Sequence, residues 1–290
     1  MKPKTTSARW VVNNDESHVI HVPELVTLGY DRFSEAIPLT DHRHEQAYEF
    51  VYMEGGQATW DIGGESITTV AGQMLMTRPD EWHRARIHYI EPCSIWWVIV
   101  RDPEQCRQWL LLRHSDKDKV SRAMRALDRV TAVETRVRDN FRQLRDLLEE
   151  RRDDKYRIRH LLLDIVLGVI YPSVDRSASL LEQSVRTLME EIAGDPAKRW
   201  TVPELAASLN VSESHLFRLF REIAGEAPAT FVERTRIEHA RRLLMDSDAS
   251  ITSLAMDLGF KTSQHFATVF KRYTGVSPRS WRRQRAQTES

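Results

Sequence analysis

Between residues 21 and 101, apolar and polar side chains alternate with period two, and glycine pairs interrupt the alternation. That rhythm predicts short antiparallel strands joined by hairpins. Residues 47–54, 57–62 and 65–70 read as three strands separated by Gly55-Gly56 and Gly63-Gly64, with further strands over 73–77, 83–90 and 94–101. Six or more short strands that each bury one face roll into a barrel or sandwich, because a flat sheet leaves its edges open. The mouth of such a barrel is a natural small-molecule pocket.

From Asp102 the period becomes helical. Asp102-Pro103 supplies an N-cap acceptor followed by proline at the first helical position. Val137, Phe141, Leu144 and Leu148 form a narrow apolar stripe, and Ile158, Leu161, Leu162, Ile165, Val166 and Val169 a wider one. Either stripe serves packing against the barrel or the pairing of two chains, and dimerisation through one of them is the preferred reading. A polar segment after Pro172 opens a linker over residues 175–183.

Residues 184–285 are helical throughout. A short helix over 203–209, Asn210 in a left-handed turn and a helix capped by Ser212 and running to Ile223 make a helix-turn-helix. The plan then repeats: a helix over 251–258, Gly259 for the turn, and a helix capped by Thr262 or Ser263 and running to Tyr273. Leu216 and Phe220 anchor the exposed helix of the first copy, Phe266 and Phe270 that of the second. Two matching copies are much harder to reach by accident than one. The intervening helix, residues 230–245, is about 24 Å long at 1.5 Å per residue. Successive major grooves on one DNA face recur every ~34 Å, so a continuous helix of this size suits two reading heads.

Composition supports two folded domains, since 290 residues with 41% hydrophobic and 29% charged side chains exceed one average domain and are too apolar for disorder. The apolar charge-free stretches 92–100 and 165–174 are about half the ~20 residues a membrane span needs. Residues 1–18 lack the apolar core of a secretory signal and read as a flexible tail, so a cytoplasmic location is expected. Cys93 and Cys106 lack zinc-ribbon spacing and are expected as reduced, buried thiols. The 42 basic and 42 acidic side chains cancel overall, yet residues 196–286 carry 15 basic against 9 acidic. A basic tail on an acidic head suggests a nucleic-acid-binding end attached to something else.

Candidate chemistry concentrates in the strand-rich half. His42 and His44 point to the same face of a strand, and Glu49, of opposite parity, joins them only if a turn near residues 45–47 resets the register. His83 follows the Pro79 turn. Three imidazoles and a carboxylate suit a first-row divalent metal. The same four residues also suit an effector pocket as hydrogen-bond donors and acceptors without any metal, and no catalytic residue is assigned. Tyr48, Tyr52, Trp60, Trp82, Trp96 and Trp97 cluster in this half. An aromatic face buries the C–H side of a sugar ring, so a carbohydrate is the favoured effector, with Tyr52, Trp60 and Trp97 beside His42, His44, Glu49 and His83 as ligand-binding residues. Trp96 and Trp97 are adjacent in a strand and cannot both face the pocket.

This half resembles the cupin barrel, a double-stranded β-helix. The first cupin motif, H-x-H-x(3,4)-E-x(6)-G, stands as His42-Arg43-His44, Glu49 and Gly56, and the second as residues 72–79 followed by His83, with Asp80 where a glycine is usual. Residues 199–283 resemble the two-motif DNA-binding domain of the AraC family of bacterial transcription regulators. The match includes Ala206, Leu209, Leu216, Arg218, Phe220, Gly225, Phe231, Arg236, Ala240 and Leu243-Leu244. It continues through Ile251, Ala255, Gly259-Phe260, Phe266, Phe270-Lys271, Gly275, Pro278 and Trp281-Arg282.

The resemblance implies an α+β chain with a tail over 1–18, a cupin-like effector barrel over 19–101, a helical dimerisation region over 102–174, a linker over 175–183 and an all-α tandem helix-turn-helix domain over 184–290. It implies a non-enzymatic, effector-responsive regulator, an activator of a catabolic operon, that binds promoter DNA and RNA polymerase as a homodimer. The alternative is a metal-dependent cupin enzyme carrying a DNA-binding appendage. Carried over by position, Ser214, Phe217, Arg218 and Arg221 face DNA from the first recognition helix, where Arg218 forks onto guanine and Phe217 packs on thymine methyls. Ser263, Gln264, Ala267, Thr268 and Lys271 do so from the second. Thr268 stands where many members have arginine, which shifts that helix toward backbone holding. Arg236 is a candidate phosphate contact.

Overall fold

The computed structural model describes residues 7–14, 22–150, 154–172 and 180–288. The chain divides into two compact units: Met1–Phe33, Leu39–His88 and Cys93–Asp175 make the first, while Ser34–Pro38, Tyr89–Pro92 and Arg176–Ser290 make the second. Most of the expected tail and residues 175–179 of the expected linker lie outside the described residues.

The described strands are β1 (Ala8–Asn13), β2 (Leu25–Arg32), β3 (Ile37–Pro38), β4 (Ala47–Ile62), β5 (Glu65–Val70), β6 (Gln73–Thr77), β7 (His83–Ala85), β8 (Tyr89–Ile90), β9 (Cys93–Arg101) and β10 (Val130–Ala132). Eight of them form the sheet of unit 1, in the order β1-β2-β9-β4-β6-β10 with β5 and β7 also on β4. Two expectations change here. Residues 8–13 are a strand paired along β2 and not tail. Gly55-Gly56 does not end a strand: β4 runs unbroken, with a bulge at Met53/Gly55 where it pairs with β9. Two residues opposing one on the partner strand bend it without breaking the ladder, so β4 pairs with β9 and β6 in its first half and with β5 and β7 in its second.

Alternation along β4 sorts the side chains. Tyr48, Phe50 and Tyr52 join Met74, Met76, Trp96, Val98 and Val100 in a core with α1 (His114–Ala126), α2 (Thr135–Glu149) and α3 (Lys155–Ile170). Glu49, Val51 and Met53 take the opposite face. Both helical stripes are spent on the first of these faces: Val137, Phe141, Leu144 and Leu148 of α2 and Ile158, Leu161, Leu162, Ile165, Val166 and Val169 of α3 are buried in that core. The expectation that one of them pairs two chains is thereby corrected, because burying a helix's widest apolar stripe against its own sheet leaves nothing there for a partner. The helix expected from Asp102 is only a 3-10 turn, Pro103–Gln105, though Asp102 caps it as anticipated by accepting from Glu104 N at 3.0 Å.

On β2, Gly29 sits directly across from Trp97, and a Cβ built there would lie 2.3 Å from the indole. The ring cannot swing aside freely, since its Nε1 donates to Asp31 at 2.9 Å. Gly29→Ala is therefore expected to lower the stability of unit 1 by about 1–3 kcal/mol through overpacking, measured by hydrogen exchange of β2 and β9 amides in the full chain. Unchanged protection would show that the indole has room to move.

Unit 2 contains α4 (Leu180–Gly194), α5 (Val202–Ser208), α6 (Glu213–Ile223), α7 (Pro228–Asp246), α8 (Ile251–Asp257), α9 (Ser263–Thr274) and α10 (Pro278–Thr288). Helix α4 begins at Leu180, inside the segment expected as linker. Thr201 and Glu204 close a capping box on α5. Asn210 and Gly259 adopt positive φ, 52° and 75°, in the two turns, as the sequence anticipates. Ser212 caps α6, and of the two candidates Thr262 caps α9. Leu216 and Phe220 are buried with Val185, Leu188, Ile192 and Leu205; Phe266 and Phe270 are buried with Phe260 and Trp281 against them. Helix α7 is 19 residues, about 28 Å long. Among the described residues no helix is long and apolar enough to cross a membrane.

Candidate functional site

Two regions carry the predicted chemistry, one in each unit. In unit 1, His42 and His83 bridge across an isolated antiparallel pair, with mutual backbone hydrogen bonds of 3.0 Å. Gln46, at φ 52°, supplies the turn that resets the register so that Glu49 faces the histidines. The His44 and His83 Nε2 atoms lie 3.6 and 3.0 Å from Glu49 Oε2. The ring centroids of His42 and His83 are 4.1 Å apart. One ligand atom from each of His42, His44, Glu49 and His83 falls within 4.8 Å of all the others.

The tautomers follow from the backbone. His42 Nδ1 is 2.9 Å from Thr40 O and His83 Nδ1 is 3.0 Å from Glu81 O. A carbonyl only accepts, so Nδ1 carries a proton in both rings, and in the neutral form of each ring Nε2 presents its lone pair to the centre. Burial opposes ionisation of Glu49, yet His44 and His83 more than offset it and hold the carboxyl well below the usual carboxylate range. Burial lowers the His42 pKa. For His83, burial works in the same direction but Glu49 outweighs it and raises the pKa.

The fit to a metal can be tested on polar atoms left without partners. His44 Nε2, His83 Nε2 and Thr77 Oγ1 are buried and find no hydrogen bond among the described residues. His83 Nε2 approaches Glu49 closely without the alignment of a hydrogen bond. Burying such atoms unpaired is costly, and a divalent ion at their meeting point would satisfy both imidazoles and the carboxylate together. The residues therefore fit the cupin ligand set, and an ion there would supply a Lewis-acidic anchor for oxygen atoms of a small molecule. Thr77 stands opposite Glu49 in the β4/β6 pair. Sequence reading missed it because nothing in the sequence sets which residue of β6 meets Glu49.

The aromatic candidates divide. Trp60 is on the same face as His83, since Ile62, two residues further along β4, pairs with His83. It is buried, and its Nε1 donates to Thr69 Oγ1 at 3.0 Å. Trp97 faces the same side as Glu49, because it pairs with Val51. Tyr52 does not belong to this site: it is buried on the opposite face, stacked on Phe141 of α2 at 6.2 Å. Strand parity decides this, since Tyr52 and Glu49 are three residues apart. Trp96 likewise turns to Phe141, at 5.9 Å. Cys93 is buried and Cys106 only half-buried. Asp80, in place of the usual glycine, itself takes positive φ at 62°, so the turn is kept.

In unit 2, Ser214, Arg218 and Arg221 are exposed on α6 with Phe217 half-buried beside them. Their spacing puts all four on one face. On α9, Gln264, Thr268 and Lys271 are exposed, with Ser263 and Ala267 half-buried on the same side. The Thr268 hydroxyl donates to Gln264 O at 3.0 Å, so its donor is already used within the helix. Arg236 is not brought to this surface. Its Nε donates to Pro196 O at 3.1 Å and its Nη2 to Lys198 O at 3.3 Å, and a Cβ on Gly259 would touch the same guanidinium. Two of its donors are thus taken up by the loop before α5, which counts against the expected phosphate contact. The sequence showed an arginine on α7 but not the carbonyls that would claim it.

Comparison with known proteins agrees with both halves. A family profile described as "Helix-turn-helix domain" matches residues 205–284, and one described as "Cupin domain" matches residues 35–99. A putative AraC-like transcription regulator of Streptomyces lividans is 34% identical over 43% of this chain and 43% of that protein. The raffinose operon transcriptional regulatory protein RafR of Pediococcus pentosaceus is 37% identical over 29% of this chain and 30% of its own. The HTH-type transcriptional activator RhaS of Escherichia coli O81 (strain ED1a) is 25% identical over 84% of this chain and 88% of its own. The chain thus spans less than half the length of the Streptomyces and Pediococcus relatives and most of the Escherichia coli one. The chain thus carries a cupin domain in its N-terminal half and an AraC-type helix-turn-helix domain in its C-terminal half, and is similar to AraC-like transcription regulators.

Proposed function

We propose that the chain is a cytoplasmic, effector-responsive activator that binds promoter DNA of a catabolic operon, meets RNA polymerase there, and responds to a carbohydrate. The observation that carries the DNA-binding part is the repetition in unit 2: α6 and α9 each bury an apolar pair spaced by four and expose a polar face, and the unbroken α7 stands between the two modules in the chain. The carbohydrate part is supported by Trp60 and Trp97 on the face that holds Glu49 and His83, and by the raffinose operon regulator among the relatives. Pairing into a homodimer has the outer side of α3 at its disposal, where Leu163, Leu167 and Ile170 are only partly buried.

The test is DNA binding by the full chain, with random competitor and a panel of sugars. Preference for the promoter of a neighbouring operon, altered by one sugar, is the expected result; equal binding to random DNA would overturn the regulator reading. His42→Ala or Glu49→Ala is expected to abolish the sugar response while leaving affinity in its absence unchanged. A full response in both variants would move the pocket elsewhere. A metal-dependent reaction is the second reading, favoured only by the unpaired His44 and His83 nitrogens. Turnover of a candidate sugar by metal-loaded protein would support it.

A further inference from the structure

The turn between β6 and β7 touches the metal-type centre from one side and the helical part of unit 1 from the other. Toward the centre, Asp80 N donates to His44 O at 3.0 Å, and Glu81 O accepts from His83 Nδ1 at 3.0 Å. Two of the four candidate ligands are therefore set by this one turn. Away from the centre, the Glu81 carboxylate accepts from Arg78 N at 3.0 Å and receives a two-pronged fork from Arg129, one guanidinium nitrogen on each oxygen. Arg129 O in turn accepts from Met76 N at 2.9 Å, which fixes Arg129 at the entry to β10. Arg78 Nη2 reaches Leu127 O at 3.1 Å and Arg125 O at 3.4 Å, carbonyls at the C-terminal end of α1 that the helix itself leaves without donors.

We propose that Glu81 and Arg129 are positioning residues for the His42/His44/Glu49/His83 centre, and that with Arg78 they couple a divalent ion held there to the end of α1 and to β10. The inference rests on the reading that this centre takes a divalent ion. Its physical basis is directional. A fork fixes the plane of the Glu81 carboxylate, the Glu81 carbonyl fixes the His83 ring through Nδ1–H, and Nε2 then points where an ion needs it. The links through Glu81, Arg129 and Leu127 are hydrogen bonds between partly buried groups, so a shift of the His83 ring on ion binding has a continuous route to residues 127–132. Fork geometry makes the arginine specific, because a lysine supplies charge at this position without fixing the carboxylate plane.

Cobalt(II) added to the metal-free full chain provides the test, read by its visible absorption and by hydrogen exchange of residues 122–132. Wild-type protein is expected to bind cobalt and to gain protection in that segment. Arg129→Met is expected to bind cobalt about 10- to 100-fold more weakly, with an altered absorption band and no gain of protection. Arg129→Lys is expected to keep the fold and recover only part of the affinity, so it serves if the methionine variant fails to fold. Glu81→Gln is expected to behave like Arg129→Met. Unchanged cobalt affinity and spectrum in folded Arg129→Lys and Glu81→Gln would overturn the positioning role. Cobalt binding by wild type without any change in residues 122–132 would overturn the coupling alone. Failure of wild type to bind cobalt would instead overturn the metal reading on which both depend.

Discussion

Arg234→Ala is expected to cost unit 2 about 3–5 kcal/mol and to leave α7 and the second helix-turn-helix partly unfolded at ambient temperature. Arg234 is almost fully buried on α7. Its guanidinium lies 2.8 Å from Glu226 and 3.0 Å from Glu238, and it stacks over Phe231 at 4.8 Å. Burial works against its charge, but the two carboxylates hold its pKa above the ordinary arginine value. Removing the cation strands Glu226 in the interior without a counter-charge, which is why the loss exceeds that of an exposed ion pair. Hydrogen exchange of α7 and α9 amides in the full chain measures it. Loss of less than about 1 kcal/mol would mean that Glu226 finds water or another partner, contrary to its burial.

Arg218→Ala is expected to weaken binding to the cognate promoter by about 1–3 kcal/mol and to blur preference at one base position, while binding to random DNA changes little. Arg218 stands exposed on α6 between Ser214 and Arg221, where a fork can reach a guanine edge. Lys271→Ala on α9 is the contrasting case: affinity falls on all sequences and the salt slope drops by about one, as for a single phosphate contact. Titrations at several salt concentrations on cognate and scrambled duplexes separate the two. Equal loss on both duplexes for Arg218→Ala would reduce that residue to a backbone contact.

The two recognition helices were legible in the sequence because the information is local. Asn210 and Gly259 mark the turns through their own φ angles, and Ser212 and Thr262 mark the helix starts through bonds to amides three residues on. Exposure of Ser214, Arg218, Gln264 and Lys271 follows from burial of Leu216, Phe220, Phe266 and Phe270 at helical spacing. The burial of Arg234 and the carbonyl partners of Arg236 were not legible. The Pro196 and Lys198 carbonyls and the Glu226 carboxylate that hold them are set by how helices pack, and packing leaves no spacing rule in the chain.

Within unit 1 the same division holds. The sequence alone determined that His42, His44, Glu49 and His83 are available as a set and that strands carry Glu49 and His83, since residue type and period two are properties of the chain itself; His42 and His44, expected on a strand, lie ahead of β4, with His42 joined to His83 only by an isolated bridge. Only the tertiary structure decided that Gln46 turns Glu49 inward, that Tyr52 faces the helices, and that Arg129 from beyond α1 braces the turn bearing His83. Pairing register and long-range hydrogen bonds depend on which strands meet. That choice is made by collective burial of the sheet faces, a property of the whole unit that no local pattern encodes.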